Sequence, residues 1–150
     1  MAIGRLKAGP EAALIADYLD RFEKTGRSLG LGPARVQELD ARGGGTAAEA
    51  ALILKAIDGA GHVVALDERG KTMKSEAFGA LMGRVRDDGI KDMVFVIGGA
   101  DGLTDEIRQR AGTLLSFGAM VWPHMLARVM LSEQLYRGAS VLAGLPYHRA

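Results

Sequence analysis

Met93-Val94-Phe95-Val96-Ile97-Gly98-Gly99-Ala100-Asp101-Gly102 is the stretch on which the fold turns. Its first half is an unbroken apolar run, the pattern of a short strand buried on both faces in a parallel sheet. Its second half is glycine-rich. The strand therefore ends where the backbone stands bare of Cβ atoms and a ligand can approach closely. Further along, Phe117-Gly118-Ala119-Met120-Val121-Trp122 makes a second apolar approach that breaks at Pro123-His124. Two such strand ends side by side form a pocket at the carboxyl edge of a parallel sheet, where open α/β sheets bind their ligands.

Upstream, Val63-Val64-Ala65-Leu66 predicts another short buried strand, and Asp67-Glu68-Arg69-Gly70-Lys71 the loop after it. Ser75 is placed to cap a helix running to Asp88, with Phe78, Leu81, Met82 and Val85 on its inner face. Thr104 is placed as the cap of the next helix, with Asp105 and Glu106 favourable in its first turn. Nearer the start, Pro10 suits a first helical turn, and Leu14, Ile15, Tyr18, Leu19 and Phe22 recur at helical spacing. Gly26 is the expected left-handed stop. Residues 34–39 around Val36 read as a strand. Gly43-Gly44-Gly45 reads as a solvent loop or a mobile arm near substrate, and Thr46 as the cap of an alanine-rich helix over 47–57. Alternating strands and helices predict one α/β domain over residues 1–150, a parallel sheet with helices on both faces.

Composition narrows the function. Nineteen basic against 18 acidic side chains leave a formal charge of +1, so any nucleic-acid contact has to be a local patch. With no cysteine, neither disulfides nor thiolate metal sites are available. No apolar run reaches the ~18 residues of a membrane span, and the N-terminus lacks a signal-like apolar segment. The reading is a soluble cytoplasmic protein.

The glycine turn is G-G-x-x-G and lies late in the chain, which disfavours a dinucleotide fingerprint and with it a nucleotide-dependent oxidoreductase. A P-loop is absent as well. Around His124 there is no second histidine or carboxylate at metal spacing, so no metal is expected. Glu133 and Arg137 stand four apart on a helical pattern; read blandly, they are a surface pair contributing about 0.3–0.5 kcal/mol. The end of the chain, Pro146-Tyr147-His148-Arg149-Ala150, gathers an aromatic ring, an imidazole and a guanidinium. Chain ends ordinarily fray, but that set is suited to stack on an unpaired base and hold phosphate.

Taken in order, several pieces resemble the SPOUT methyltransferases, in particular those acting on N3 of a pseudouridine in 23S ribosomal RNA. They are Leu66-Asp67 with Gly70-Lys71, then Ile97-Gly98-Gly99-x-x-Gly102, then Pro123-His124 with Arg128, Glu133 and Tyr136-Arg137, and finally Tyr147-His148-Arg149. No single piece is specific; the ordered set, from Gly4 to the C-terminus, carries the resemblance. It implies a C-terminal trefoil knot, a homodimer through the last helix, S-adenosylmethionine as cofactor and 23S rRNA within the ribosome as partner. Residue by residue, it implies that Leu66, Gly98 and the run Phe117, Gly118, Ala119, Met120, Val121 and Trp122 line the cofactor. Arg137, Tyr147, His148 and Arg149 would contact RNA, and Met125, Val129 and Tyr136 would face a partner subunit. Glu133 and His148 are both candidates to remove the N3 proton, and the residues do not choose between them. The family's first strand is fuller than Met1-Ala2-Ile3-Gly4, so a shortened start is expected here. A catalytically silent ribosome-binding module on the same fold is the alternative.

Overall fold

The computed structural model describes residues 1–148. In chain order the elements are β1 (Ala2–Ile3), α1 (Pro10–Gly26), a 3-10 turn (Arg27–Leu29), β2 (Glu38–Leu39), α2 (Gly45–Ala56), β3 (His62–Thr72) and α3 (Ser75–Asp87). They continue with β4 (Met93–Ile97), α4 (Asp105–Arg110), β5 (Thr113–Ser116) and α5 (His124–Leu142). The strands form a five-stranded parallel sheet in the order β2-β1-β4-β3-β5. The chain gathers into two compact units. Met1–Leu6, Val36–Met73 and Ile90–His124 make the first; α1, α3 and α5 from Met125 belong to the second.

The first unit is the sheet with α2 and α4. Its core joins Ile53 of α2 and Ile57 just after it, Val63 and Ala65 of β3, Val96 of β4 and Ile107 of α4. In β3 the consecutive residues Val63, Val64 and Ala65 are all buried, which is why this strand reads as a continuous apolar run instead of an alternating one. Burial of each such aliphatic side chain contributes about 1.5–3 kcal/mol. Between β2 and β4 the strand β1 is short, and the Met1 ammonium donates to the Phe95 carbonyl at 2.8 Å.

The loop expected after Leu66 lies inside a strand. Leu66 and Lys71 both register with Leu115, so Asp67 to Gly70 form an excursion after which β3 rejoins β5. Two features allow it. A Cβ on Gly70 would stand 2.7 Å from the carbonyl carbons of Leu114 and Leu115, so only glycine lets the strand close again. Asp67 turns inward, its side chain 4% exposed, and pairs with Arg108 of α4 at 2.8 Å. The expected strand over 34–39 shrinks to β2, and Val36 is exposed. Gly44 and Lys74 occupy the N-cap positions expected for Thr46 and Ser75, which lie within the first helical turns instead. Thr104 does precede α4, but without a side-chain capping bond.

In the second unit α1 opens with Pro10, and Ile15 and Phe22 are buried while Leu14 is exposed. The helix passes through the 3-10 turn, so the left-handed stop falls at Gly30 (φ 70°, ψ 25°) and not at Gly26, which stays right-handed. Helix α3 buries Phe78, Leu81, Met82 and Val85, as its periodicity predicts. It packs closely on α5 where two glycines meet: a Cβ on Gly79 would lie 3.1 Å from the Gly138 carbonyl oxygen. Ridges of larger side chains could not interlock at that separation. No helix among the described residues is long and apolar enough to cross a membrane.

Candidate cofactor edge and tail cluster

Register brings the expected cofactor residues of the first unit together. Leu66 pairs with Ile97 on one side and Leu115 on the other, so β3, β4 and β5 reach the same edge of the sheet at one level. Gly98 follows Ile97, and Phe117 begins one residue after Ser116. The glycine turn folds back on itself, with an isolated antiparallel bridge between Gly99 and Gly102 and the Gly102 N–H donating to the Gly99 carbonyl at 3.2 Å. A Cβ on Gly98 would stand 2.8 Å from the Gly102 carbonyl oxygen. The need for glycine at 98 is thus met first by the turn's own backbone. Helix α2 also leans on this turn: Thr46 donates to Asp101 at 3.4 Å, and a Cβ on Gly99 would stand 2.7 Å from a Glu49 carboxylate oxygen. Nothing in the sequence pairs those residues, because the contact joins segments far apart in the chain.

The second approach is held by a residue the sequence reading passed over. Ser116 Oγ accepts the Gly118 N–H at 3.1 Å and donates to the Gly118 carbonyl at 3.0 Å, fixing the turn at which Gly118 takes φ 123°. Beyond it Met120, Val121 and Trp122 are 71%, 81% and 40% exposed. Three large apolar side chains exposed in a row beside a pinned glycine turn are a surface of the kind that marks a ligand or partner site. Among the described residues no group of histidine, cysteine and carboxylate side chains could hold a metal ion.

The second unit carries the other candidates. Glu133 Oε1 accepts from Arg137 Nε at 2.9 Å and from the Tyr147 hydroxyl at 2.9 Å, while Oε2 accepts from Gln134 Nε2 at 2.7 Å. Ser75 of α3 donates to the same Gln134 at 2.9 Å, which extends the network from α5 to α3. The Glu133 and Arg137 side chains are only 17% and 26% exposed, so the pair is part of a packed cluster and not a surface contact. Arg137 lies 4.8 Å over the Tyr147 ring, whose centroid is 4.4 Å from that of Tyr136; Tyr18 stands 6.5 Å from Tyr136. All three tyrosines of the chain meet here. Burial first, then Glu133 and Tyr18, pushes the Tyr147 phenol above its ordinary range.

One residue on, His148 Nε2 is 2.9 Å from Glu76 Oε1 at the start of α3. The other ring nitrogen, Nδ1, is buried without a hydrogen-bond partner among the described residues. A backbone N–H, then His148, holds the Glu76 carboxyl below the usual carboxylate range. Arg149 lies outside the described residues. His124 opens α5; Met125, Val129 and Tyr136 are half-buried within the chain, and Leu126 is exposed.

Comparison with known proteins covers nearly the whole chain. The family described as Predicted SPOUT methyltransferase matches residues 1–148. The chain is 62% identical over 148 residues to the ribosomal RNA large subunit methyltransferase H of Dinoroseobacter shibae, covering 98% of this chain and 95% of that one. It is 57% identical over 150 residues to the protein of the same name from Ruegeria pomeroyi, covering 99% and 96%. With that of Cereibacter sphaeroides it shares 56% identity over 149 residues, again covering 99% and 96%.

Proposed function

The chain belongs to the SPOUT methyltransferase family, and we propose that it methylates N3 of a pseudouridine in 23S ribosomal RNA on the assembled ribosome, with S-adenosylmethionine as methyl donor. The observation that carries this reading is the near full-length identity to relatives named as large-subunit ribosomal RNA methyltransferases. The family fold has a C-terminal trefoil knot. In this reading the whole chain works as one methyltransferase domain in the cytoplasm, as a homodimer joined through α5.

Leu66, Gly98 and the run from Phe117 to Trp122 hold the cofactor, by backbone groups on the two glycine turns and by apolar contact from Met120, Val121 and Trp122. When bound, the cofactor supplies a methyl group on a sulfonium that leaves as a neutral thioether. The protein's task is to place N3 in line with that methyl, and positioning of this kind reaches effective molarities of about 10⁵–10⁸ M. The N3 imide gives up its proton as the new bond forms, so an acceptor in the site assists. Glu133 already receives donors on both carboxylate oxygens. His148 keeps one nitrogen unpartnered among the described residues, and it is the acceptor in this reading. Arg149 holds RNA phosphate in this reading, with Arg137 and Tyr147 supporting the RNA-binding tail.

Two measurements test the proposal. Calorimetry should show S-adenosylhomocysteine binding, and ribosomes lacking the modification should gain one methyl group at a pseudouridine. Binding of cofactor and ribosome without methylation would make the chain a silent ribosome-binding module; absence of cofactor binding would remove the reading altogether.

A further inference from the structure

We propose that Glu76 is the positioning residue of the tail. Its carboxylate accepts the Nε2–H of His148 and leaves the ring's lone pair on Nδ1, while Tyr147 on Glu133 seats the backbone one residue earlier. The inference rests on the reading of His148 as proton acceptor and adds how that histidine is prepared.

The observations are these. Two consecutive tail residues dock on two different helices, Tyr147 on Glu133 of α5 at 2.9 Å and His148 on Glu76 of α3 at 2.9 Å. The Tyr147 ring is further held by Tyr136 and by the Arg137 guanidinium. A chain end with one anchor can swivel about it, whereas one with two anchors a residue apart is fixed in direction. An ionised carboxylate only accepts hydrogen bonds, so the imidazole nitrogen facing it carries the proton, and the hydrogen bond at one nitrogen decides the state of the other. Facing Glu76 with Nε2 therefore makes Nδ1 the basic nitrogen. That is the atom with no partner among the described residues. A buried polar atom left without a partner calls for a reason. An imide N–H on the target base is a donor of the kind it lacks. A backbone N–H first, then His148, and least of all Lys74, the other charged side chain acting on it, favour the ionised form of the Glu76 carboxyl.

The seat has a readout independent of methylation. The chain has three histidines, so long-range nitrogen–proton correlation spectra can assign the tautomer of His148 in the cofactor-free protein. The Nε2–H form is expected in the native chain. It should persist in Glu76→Gln, whose amide oxygen still accepts, and give way to a mixture in Glu76→Ala. The Glu76 side chain is 49% exposed, so neither substitution threatens the fold. In single-turnover methylation at saturating ribosomes, Glu76→Ala should be slower by about 10–100-fold, by analogy with removal of the carboxylate that orients a metal-ligating histidine. The ribosome concentration at half saturation should stay put, and Glu76→Gln should recover most of the rate. An unchanged tautomer in Glu76→Ala, or a loss of ribosome affinity alone, would overturn the inference. Full-rate methylation by His148→Ala would instead remove the proton-acceptor reading, with the tautomer result still deciding the seat.

Discussion

At the sheet edge the architecture rests on backbone: Gly98 turns against the Gly102 carbonyl, Ser116 pins the Gly118 turn, and the side chains beyond it are apolar and exposed. In the tail cluster the backbone contributes little and side chains carry everything, with Glu133, Arg137, Gln134, Tyr147 and Ser75 bonded into one network. The two regions should therefore fail in different ways. A backbone-built region is destroyed by a single added methyl group at the wrong place and tolerates exchange of its exposed side chains. A side-chain network loses energy with each functional group removed, because every deletion leaves partners unpaired in a half-buried place.

The largest expected effect is at the edge. Gly98→Val puts a branched side chain where even a Cβ would stand 2.8 Å from the Gly102 oxygen. The turn must open, and calorimetry should find no S-adenosylhomocysteine binding, while sedimentation gives the same species as the native chain. Normal cofactor binding by this variant would mean that the turn is not part of the pocket.

Next comes the tail cluster. Glu133→Ala leaves the Arg137 guanidinium and the Tyr147 hydroxyl without their shared acceptor, and unmade hydrogen bonds of partly buried groups cost about 1–3 kcal/mol. The urea midpoint should fall accordingly, with cofactor affinity within twofold of native. A variant that binds cofactor poorly but is as stable as the native chain would erase the distinction between the regions.

The smallest effect is a titration. The Tyr147 phenol is raised above the ordinary 10.0 by burial, then by Glu133 and Tyr18. A raised value in the folded state means the neutral phenol is the stabilising form. Its contribution is whole below pH 10.0 and is lost as the pH climbs through the higher folded value. Tyr147→Phe should remove a step of tyrosinate absorbance lying above the usual tyrosine range. If that step survives the substitution, Tyr147 is not the tyrosine held by Glu133.

How legible all this was differs with the range of the contacts. The apolar runs at Val63 and Met93 and the periodicity of α3 announce strands and a helix locally, because burial of a repeating face leaves its period in the sequence. The left-handed stop at Gly30 was misplaced to Gly26 because a 3-10 turn lengthens a helix without altering its composition. The continuation of β3 beyond Asp67 to Gly70 was missed because polar residues read as a loop, whereas pairing with Leu115 resumes at Lys71.

By itself the sequence determined the α/β class, the parallel arrangement, the two glycine-marked strand ends and the membership of a methyltransferase family, since each is written in local composition or in an ordered set of motifs. Only the tertiary structure decided that Ser116 pins one turn and Glu49 covers the other, that Glu133 and Arg137 are enclosed instead of lying at the surface, and that Tyr147 and His148 dock on separate helices. Glu76 and His148 are 72 positions apart in the chain. Nothing in the neighbourhood of either residue encodes the other, and their meeting is set by the packing of α3 and α5 at Gly79 and Gly138.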